Sequence, residues 1–313
     1  MSNRVGVYRA ALAFRFWDEW RVFFGALGFE PVLAPATTKR TLDIGIRVSP
    51  PELCLPMKAA IGQVKEMAAA GLKVLMPRFV SRRVGRRFYF GCPKYLGFPD
   101  MVRALMPGID ACELFLDERR RPERAAYRQL ARELGAGRDR VRSALAALDR
   151  AAEYDAGASV HSGFNGEPAL KEQNNGPRIG LVGHSYLLFD RLLSAGLLER
   201  LQGLGASVVL PVPPPSDALG DAYAATELNW YLEIELLAGV TRMLEQGAVD
   251  GIVLATSFAC GTGVVTCELA RRMVLSERPA LPMLMLVLDE HTGEAGLMAR
   301  LEAFLDMMRM KRR

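Results

Sequence analysis

The sequence predicts an α/β protein of two Rossmann-like parallel-sheet lobes facing a central cleft, and three observations lead there. Short β-branched and aliphatic runs alternate with segments of helical periodicity, joined by brief glycine-punctuated turns, the pattern of parallel sheets covered by helices on both faces. The two halves also carry a weak internal duplication. Finally, 313 residues, 50% hydrophobic and 24% charged, are enough chain for two cores.

In the first half, Arg4-Val5-Gly6-Val7-Tyr8 leads into a helix carrying Trp20, Phe23, Phe24 and Leu27, then Gly28, then a strand from Glu30 to Pro35. In the second, Arg178-Ile179-Gly180-Leu181-Val182-Gly183 leads into a helix carrying Leu197, Leu198, Leu201 and Leu204, then Gly205, then a strand from Ser207 to Pro211. Each copy is followed by another helix and strand. In the first half these are Pro56 to Ala70 and Leu72 to Met76; in the second, Thr226 to Gln246 and Gly251 to Ala255. Leu228, Leu232, Leu236, Val240 and Met243 mark the expected buried stripe of the later helix. Residues 119–152, rich in Ala, Arg and Glu, read as one or two amphipathic helices broken at Gly135 and Gly137, and Leu297 to Met310 as a closing helix. The predicted division is a first lobe with a helical extension over residues 1–155, a polar linker over 156–177, and a second lobe over 178–313.

Composition narrows the function classes. An excess of 40 basic over 35 acidic side chains is mild and asks for no nucleic-acid role. No run approaches the ~18 apolar residues of a membrane span. No secretory signal is evident, so the expectation is a cytoplasmic protein without a membrane. The five cysteines are odd in number and scattered, which suits reduced thiols better than a disulfide framework. Neither G-x-x-x-x-G-K-[ST] nor a complete G-x-G-x-x-G is present, so the chain shows no nucleotide site of its own.

The stretch Val249 to Glu268 is the centre of the chemical argument. A buried strand, Gly251 to Ala255, runs into a helix starting near Gly263, and Cys260 lies between them among Ser257, Ala259, Gly261 and Thr262. Ligands of open α/β sheets sit beyond the carboxyl ends of strands, where a helix N-terminus stabilises a thiolate. Cys54 stands at a helix entrance, with Pro56 in the first turn and Lys58 one turn on. Cys92 follows the aromatic run Phe88-Tyr89-Phe90 and precedes Pro93. Three thiols in one topological niche can converge on one inorganic centre if the lobes face each other. Thiolates select zinc or an iron–sulfur cluster, and three of them leave one iron of a [4Fe–4S] cluster open. The same spacing also suits three small buried hydrophobes. Cys112 and Cys267 read as packing residues.

His184 follows the first strand of the second lobe. Glu290 and His291 follow the strand Met283 to Leu288, on the sheet edge expected to carry Cys260. This last loop can offer a hydrogen bond or proton to a ligand, or Asp289 and Glu290 can simply cap the next helix. Arg82, Arg83, Arg86 and Arg87 read as a solvated hairpin in preference to an anion site.

Taken together, several segments resemble one family. They are Cys54-Leu55-Pro56-Met57-Lys58, Phe90-Gly91-Cys92-Pro93, Gly183-His184-Ser185-Tyr186 with Asp190, Ser257-Phe258-Ala259-Cys260-Gly261, Leu288 through Gly296, and Arg300-Leu301-Glu302-Ala303-Phe304. The chain resembles the acyl-CoA dehydratase activase-related proteins, relatives of the 2-hydroxyacyl-CoA dehydratase subunits, over nearly its whole length and in the right order. The resemblance implies a [4Fe–4S] cluster with an open iron, held here by Cys54, Cys92 and Cys260. It implies reduction by a separate ATP-hydrolysing activator that has its own cluster, with a second related subunit as a further partner. Lys58, His184, Ser185 and Tyr186 are the expected substrate-side residues, and the place of Glu290 and His291 on the sheet edge makes them the expected catalytic pair. The family shows Arg-Pro-Tyr where this chain has His184-Ser185-Tyr186, and Gly-His at Gly62-Gln63, so substrate handling is expected to differ. A double-cubane cluster would need more cysteines than the five present. Two readings from other classes stay open beside the iron–sulfur one: a two-lobed small-molecule binding or partner protein, and a zinc-thiolate structural protein.

Overall fold

The computed structural model describes residues 3–10, 12–155, 176–212, 219–220 and 226–311. Most of the expected linker, residues 156–175, lies outside the described residues. The chain forms two compact units, each with its own parallel-strand sheet. The first unit is built from the first half together with Asn229–Tyr231, and the second from the second half together with Cys54–Pro56.

The first sheet contains β1 (Arg4–Val7), β2 (Glu30–Leu33), β3 (Lys73–Val84), β4 (Arg87–Phe90) and β5 (Ala111–Asp117). The parallel strands run β2-β1-β3-β5, and β4 returns antiparallel along the far end of β3. The second sheet, β6 (Arg178–Val182), β7 (Ser207–Val209), β8 (Gly251–Ser257) and β9 (Met283–Leu288), is parallel in the order β7-β6-β8-β9. The parallel cores of the two sheets therefore share one strand order, as the duplicated sequence predicts. Every residue of β8 is buried, as expected of a central strand covered on both faces.

Helix α1 (Ala13–Leu27) buries Phe16, Trp20, Phe23, Phe24 and Leu27 on one face. It stops at Gly28, whose φ of 86° is open to glycine at little cost, and Gly205 ends the matching helix α8 (Leu197–Gly203) with a φ of 85°. Helices α5 (Glu123–Glu133) and α6 (Arg138–Asp155) flank the expected break at Gly135 and Gly137. No described helix is long and apolar enough to cross a membrane.

Helix α2 (Lys39–Val48) carries no strong helix signal, because Thr41, Ile44, Gly45, Ile46 and Val48 all have modest or poor propensity. Two other features hold it. Thr38 caps its first turn, accepting a hydrogen bond from Thr41 N–H at 3.1 Å, and the helix packs closely on α3 (Leu55–Ala69). A Cβ on Gly45 would lie 1.8 Å from the Lys58 carbonyl oxygen, and one on Gly62 would lie 2.0 Å from that of Thr41.

The arginine hairpin is corrected in one respect. Gly85, with φ 60°, turns it, and Arg83, Arg86 and Arg87 are exposed. Arg82 points the other way along the strand, with its guanidinium 5.4 Å from the ring centres of both Phe16 and Tyr231 and 3.7 Å from Glu123. It is a packing cation, not a solvated one.

Gly45→Ala and Gly62→Ala are each expected to destabilise the protein by about 1–3 kcal/mol by forcing α2 and α3 apart. Gly25→Ala, on the open side of α1 with nothing near its Cβ, should instead stabilise it by about 0.5–1 kcal/mol. Urea denaturation midpoints distinguish the two signs, and equal effects at all three positions would refute the close crossing.

Candidate functional site

Strand order places the crevice of the second unit between β6 and β8, because the chain leaves β6 on one side for β7 and returns on the other for β8. The loops after these two strands carry His184 and Cys260. Gly183 lets the first loop lie against β8, since a Cβ there would come within 2.7 Å of the Ala255 carbonyl oxygen. In the second loop Ala259 adopts φ 60°, rarely tolerated outside glycine, and Cys260 N–H closes the turn on the Ser257 carbonyl at 3.1 Å. Cys260 then caps α10 (Gly261–Glu277), 17 residues long.

Cys54 joins Cys260 in this unit. Leu55 N–H, the first of α3, donates to Ser257 Oγ at 3.1 Å, so β8's last residue supplies the acceptor that the start of α3 lacks. The Cys54 thiol hydrogen-bonds to Cys260, and this is the largest influence holding the Cys260 thiol down at about 5. Burial opposes it, while the positive charge of His184, the Gly263 N–H and the Thr262 hydroxyl all favour the thiolate. Gly263 must be glycine, because a Cβ there would lie 2.6 Å from Thr256 Oγ1 and 2.9 Å from Cys260 Sγ. Thr256 Oγ1 itself is buried without a hydrogen-bond partner among the described residues.

His184 precedes the short helix α7 (Ser185–Leu188), and its ring stacks on Tyr186 with centroids 4.9 Å apart. Its Nε2 lies 3.5 Å from Glu233 Oε1, a charge contact more than an aligned hydrogen bond. Both groups are buried. Burial alone would discharge the imidazolium, but Glu233 and the Cys260 thiolate outweigh it and raise the His184 pKa. Burial likewise disfavours the Glu233 carboxylate, and His184 with Thr262 holds it below the ordinary range. In the crevice the charged form of His184 favours both the Glu233 carboxylate and the Cys260 thiolate, and each of these favours the charged form of His184.

Glu233 was not expected. It sits on α9 (Tyr231–Glu245), where Val240 and Met243 of the predicted stripe are buried as expected, but the buried face also takes in Glu233, Leu237 and Leu244. Leu232 and Leu236 are half-exposed instead. The signal was an acid four, seven and eleven places before apolar residues on a single helical face.

The remaining predicted residues are distributed as follows. Cys92, half-exposed, caps α4 (Pro93–Leu105) in the first unit, with Pro93 in the first turn. Lys58 is buried in α3 and is grouped with the first unit. Ser185 is half-buried beside Tyr186 in α7. The Glu290–His291 loop borders the Cys260 loop, because Ser257 pairs with Leu288 and Phe258 N–H donates to the Leu288 carbonyl at 2.8 Å. His291 is exposed, and its N–H donates to Asp289 Oδ1, which also accepts from the Thr292 hydroxyl, just before α11 (Glu294–Lys311). Cys112 and Cys267 are buried thiols pushed up to about 12 by desolvation. Among the described residues, no group of three or more His, Cys, Asp or Glu side chains is arranged to hold a metal ion.

In reduced, metal-free protein, one thiolate should develop ultraviolet absorbance near pH 5, and Cys260→Ser should remove that step. Cys54→Ala should move it upward, having removed the main donor to the thiolate. Because the folded pKa lies below the ordinary value of 9.0, the stabilisation is complete above about pH 9, shrinks as the pH falls, and is gone below about 5. A wild-type titration showing only steps near or above pH 9 would contradict this electrostatic picture.

Comparison with solved structures returns, among others, a putative transcription repressor of the LacI family from Corynebacterium glutamicum, at 13% identity and a TM-score of 0.22, covering 92% of this chain and 96% of that one. A similarity that low carries no functional argument. No curated protein matches. Residues 4–212, more than half of the chain, match the family described as CoA enzyme activase uncharacterised domain. With that match covering every strand of the first sheet and the first two strands of the second, the chain belongs to the CoA enzyme activase-related family.

Proposed function

We propose that this protein is an iron–sulfur component of the 2-hydroxyacyl-CoA dehydratase and activase-related type, acting on a small substrate at the crevice of the second unit. The observation that carries the reading is the buried pair of Cys54 and Cys260, one thiol donating to the other's thiolate at the N-termini of α3 and α10. Its donor chemistry fits a soft metal centre: sulfur ligands, one of them already deprotonated, beside an unsatisfied hydroxyl on Thr256. Cys54 and Cys260, with Cys92 as the third thiolate, would hold a [4Fe–4S] cluster. Such a cluster supplies, when bound, a low-potential electron and an open iron.

The roles of the chain's own side chains follow from their chemistry. His184, whose protonated form Glu233 and the Cys260 thiolate favour, is placed to hold a proton beside the thiol, and Glu233 orients its ring. Lys58, Ser185 and Tyr186 are assigned to substrate, and Glu290 and His291 to exchanging a proton or hydrogen bond with it. The partner is an ATP-hydrolysing activator with its own cluster, since this sequence has no phosphate-binding loop with which to drive an electron uphill. Phe258, 61% exposed beside Cys260, together with exposed Val264 and Val265 on α10, offers apolar surface near the site for such a partner. The proposed location is the cytoplasm, where the odd and scattered set of five cysteines suits reduced thiols.

Protein prepared without oxygen should contain about four irons and matching acid-labile sulfide per chain, and replacing Cys54, Cys92 or Cys260 should deplete both. A single zinc, or no metal at all, would overturn the proposal. Reduction by a chemical donor should be markedly faster with activator and ATP than without, and equal rates would remove the activator from the scheme.

His291→Ala separates a role toward ligand from a structural one. Unchanged iron content and melting temperature with altered turnover support the assignment. Lower stability with an unchanged response to substrate identifies the Asp289 to Thr292 turn as a helix cap only.

A further inference from the structure

Cys54 and Cys260 are in hydrogen-bonding contact within the second unit, and neither thiol's neighbours are left to drift. Leu55 N–H binds Ser257 Oγ at 3.1 Å, tying the residue after Cys54 to the residue three before Cys260. The Cys260 side is closed by its own N–H on the Ser257 carbonyl at 3.1 Å and continues directly into α10. We propose that Cys54 and Cys260 form a reversible disulfide when the protein lacks metal and meets a peroxide or a small-molecule disulfide.

The geometry selects this pair over the others. Cys267 lies two turns farther along α10 and is directed at the Ala255 carbonyl, with its sulfur 3.9 Å from that oxygen. Cys112 is buried in β5 of the first unit, and Cys92 caps α4 of the same unit. Either sulfur can attack first, and the step is the same with the two exchanged; in one order the attacker is Cys260 Sγ, the thiol at the start of α10. Cys54 is then the resolving thiol, already oriented toward it.

The chemistry balances with hydrogen peroxide as oxidant. Cys260 sulfur attacks one peroxide oxygen and the O–O bond breaks, leaving a sulfenic acid on Cys260; the departing hydroxide takes a proton to become water. Cys54 sulfur then attacks Cys260 sulfur, the S–O bond breaks, and the second oxygen leaves as water with the proton that Cys54 gives up. Two thiols lose two electrons in all, and one peroxide becomes two waters. An external dithiol reopens the bridge by exchange. This disulfide requires no iron and does not depend on the identity of the bound centre. It would give the empty site a protected, recoverable state in which neither sulfur advances to irreversible oxidation.

The test uses the full chain, reduced and stripped of metal by a chelator, then exposed to hydrogen peroxide or oxidised glutathione. Remaining thiols are blocked and the peptides mapped by mass. The expected result is one linked pair, Cys54 with Cys260, three blocked thiols, and full reversal by dithiothreitol. A chain carrying Cys92→Ser, Cys112→Ala and Cys267→Ala should still form the link, and adding Cys54→Ser should abolish it, leaving Cys260 sulfenylated or glutathionylated. Cys54 or Cys260 joined to another cysteine overturns the proposal. So does a pair that stays alkylatable while oxidation falls on Cys92. The wild-type map decides the matter even if a variant fails to fold.

Discussion

Leu55 N–H opens a helix and has no acceptor within it; the hydroxyl that accepts it belongs to Ser257, 202 positions along the chain. One such bond contributes about 0.5–1.5 kcal/mol, too little to anchor a segment by itself. Its strength comes from where Ser257 is fixed, at the end of the wholly buried β8. A core strand thus sets the position of Cys54 relative to Cys260, and the thiol pair inherits the rigidity of the sheet. The Cys260 thiolate, its donors and its neighbouring imidazolium all presuppose that placement.

The His184–Glu233 pair is hard to explain by stability alone. Removing both charges from water costs several kcal/mol per ion, and an apolar pair of similar size would commonly serve the fold as well or better. What an apolar pair could not supply is a positive charge that favours the thiolate of the buried Cys260. The arrangement on β6, α9 and the start of α10 is therefore better understood as electrostatics maintained at a cost in stability.

Much of this organisation was legible in the sequence, and the rest was hidden for specific reasons. The duplicated strand–helix–glycine–strand pattern gave both sheets, because hydrophobic period and glycine stops are local properties; Gly28 and Gly205 fall where they were expected. Cys54, Cys92 and Cys260 all precede helices, as their flanking residues indicate. Helix α2 was missed because its support is a cap and a close crossing, neither of which is a matter of propensity. Glu233 was missed because the leucines Leu232 and Leu236 suggested a neighbouring face, and only pairing with His184 makes a buried acid tolerable there. Arg82 was misjudged because a run of arginines does not reveal which of its members meets two aromatic rings.

The grouping of Cys54–Pro56 with the second unit has a consequence for how the protein comes into being. Cys54 is made 206 residues before Cys260, so the thiol pair cannot assemble until the chain through residue 260 has left the ribosome. Contacts this far apart in sequence carry a large loop-closure cost and form slowly. The first unit can gather most of its core during synthesis, before Cys260 has been made. The site therefore matures only once the second unit has formed around Cys260, and a nascent chain stalled before residue 260 would offer Cys54 no helix N-terminus to meet.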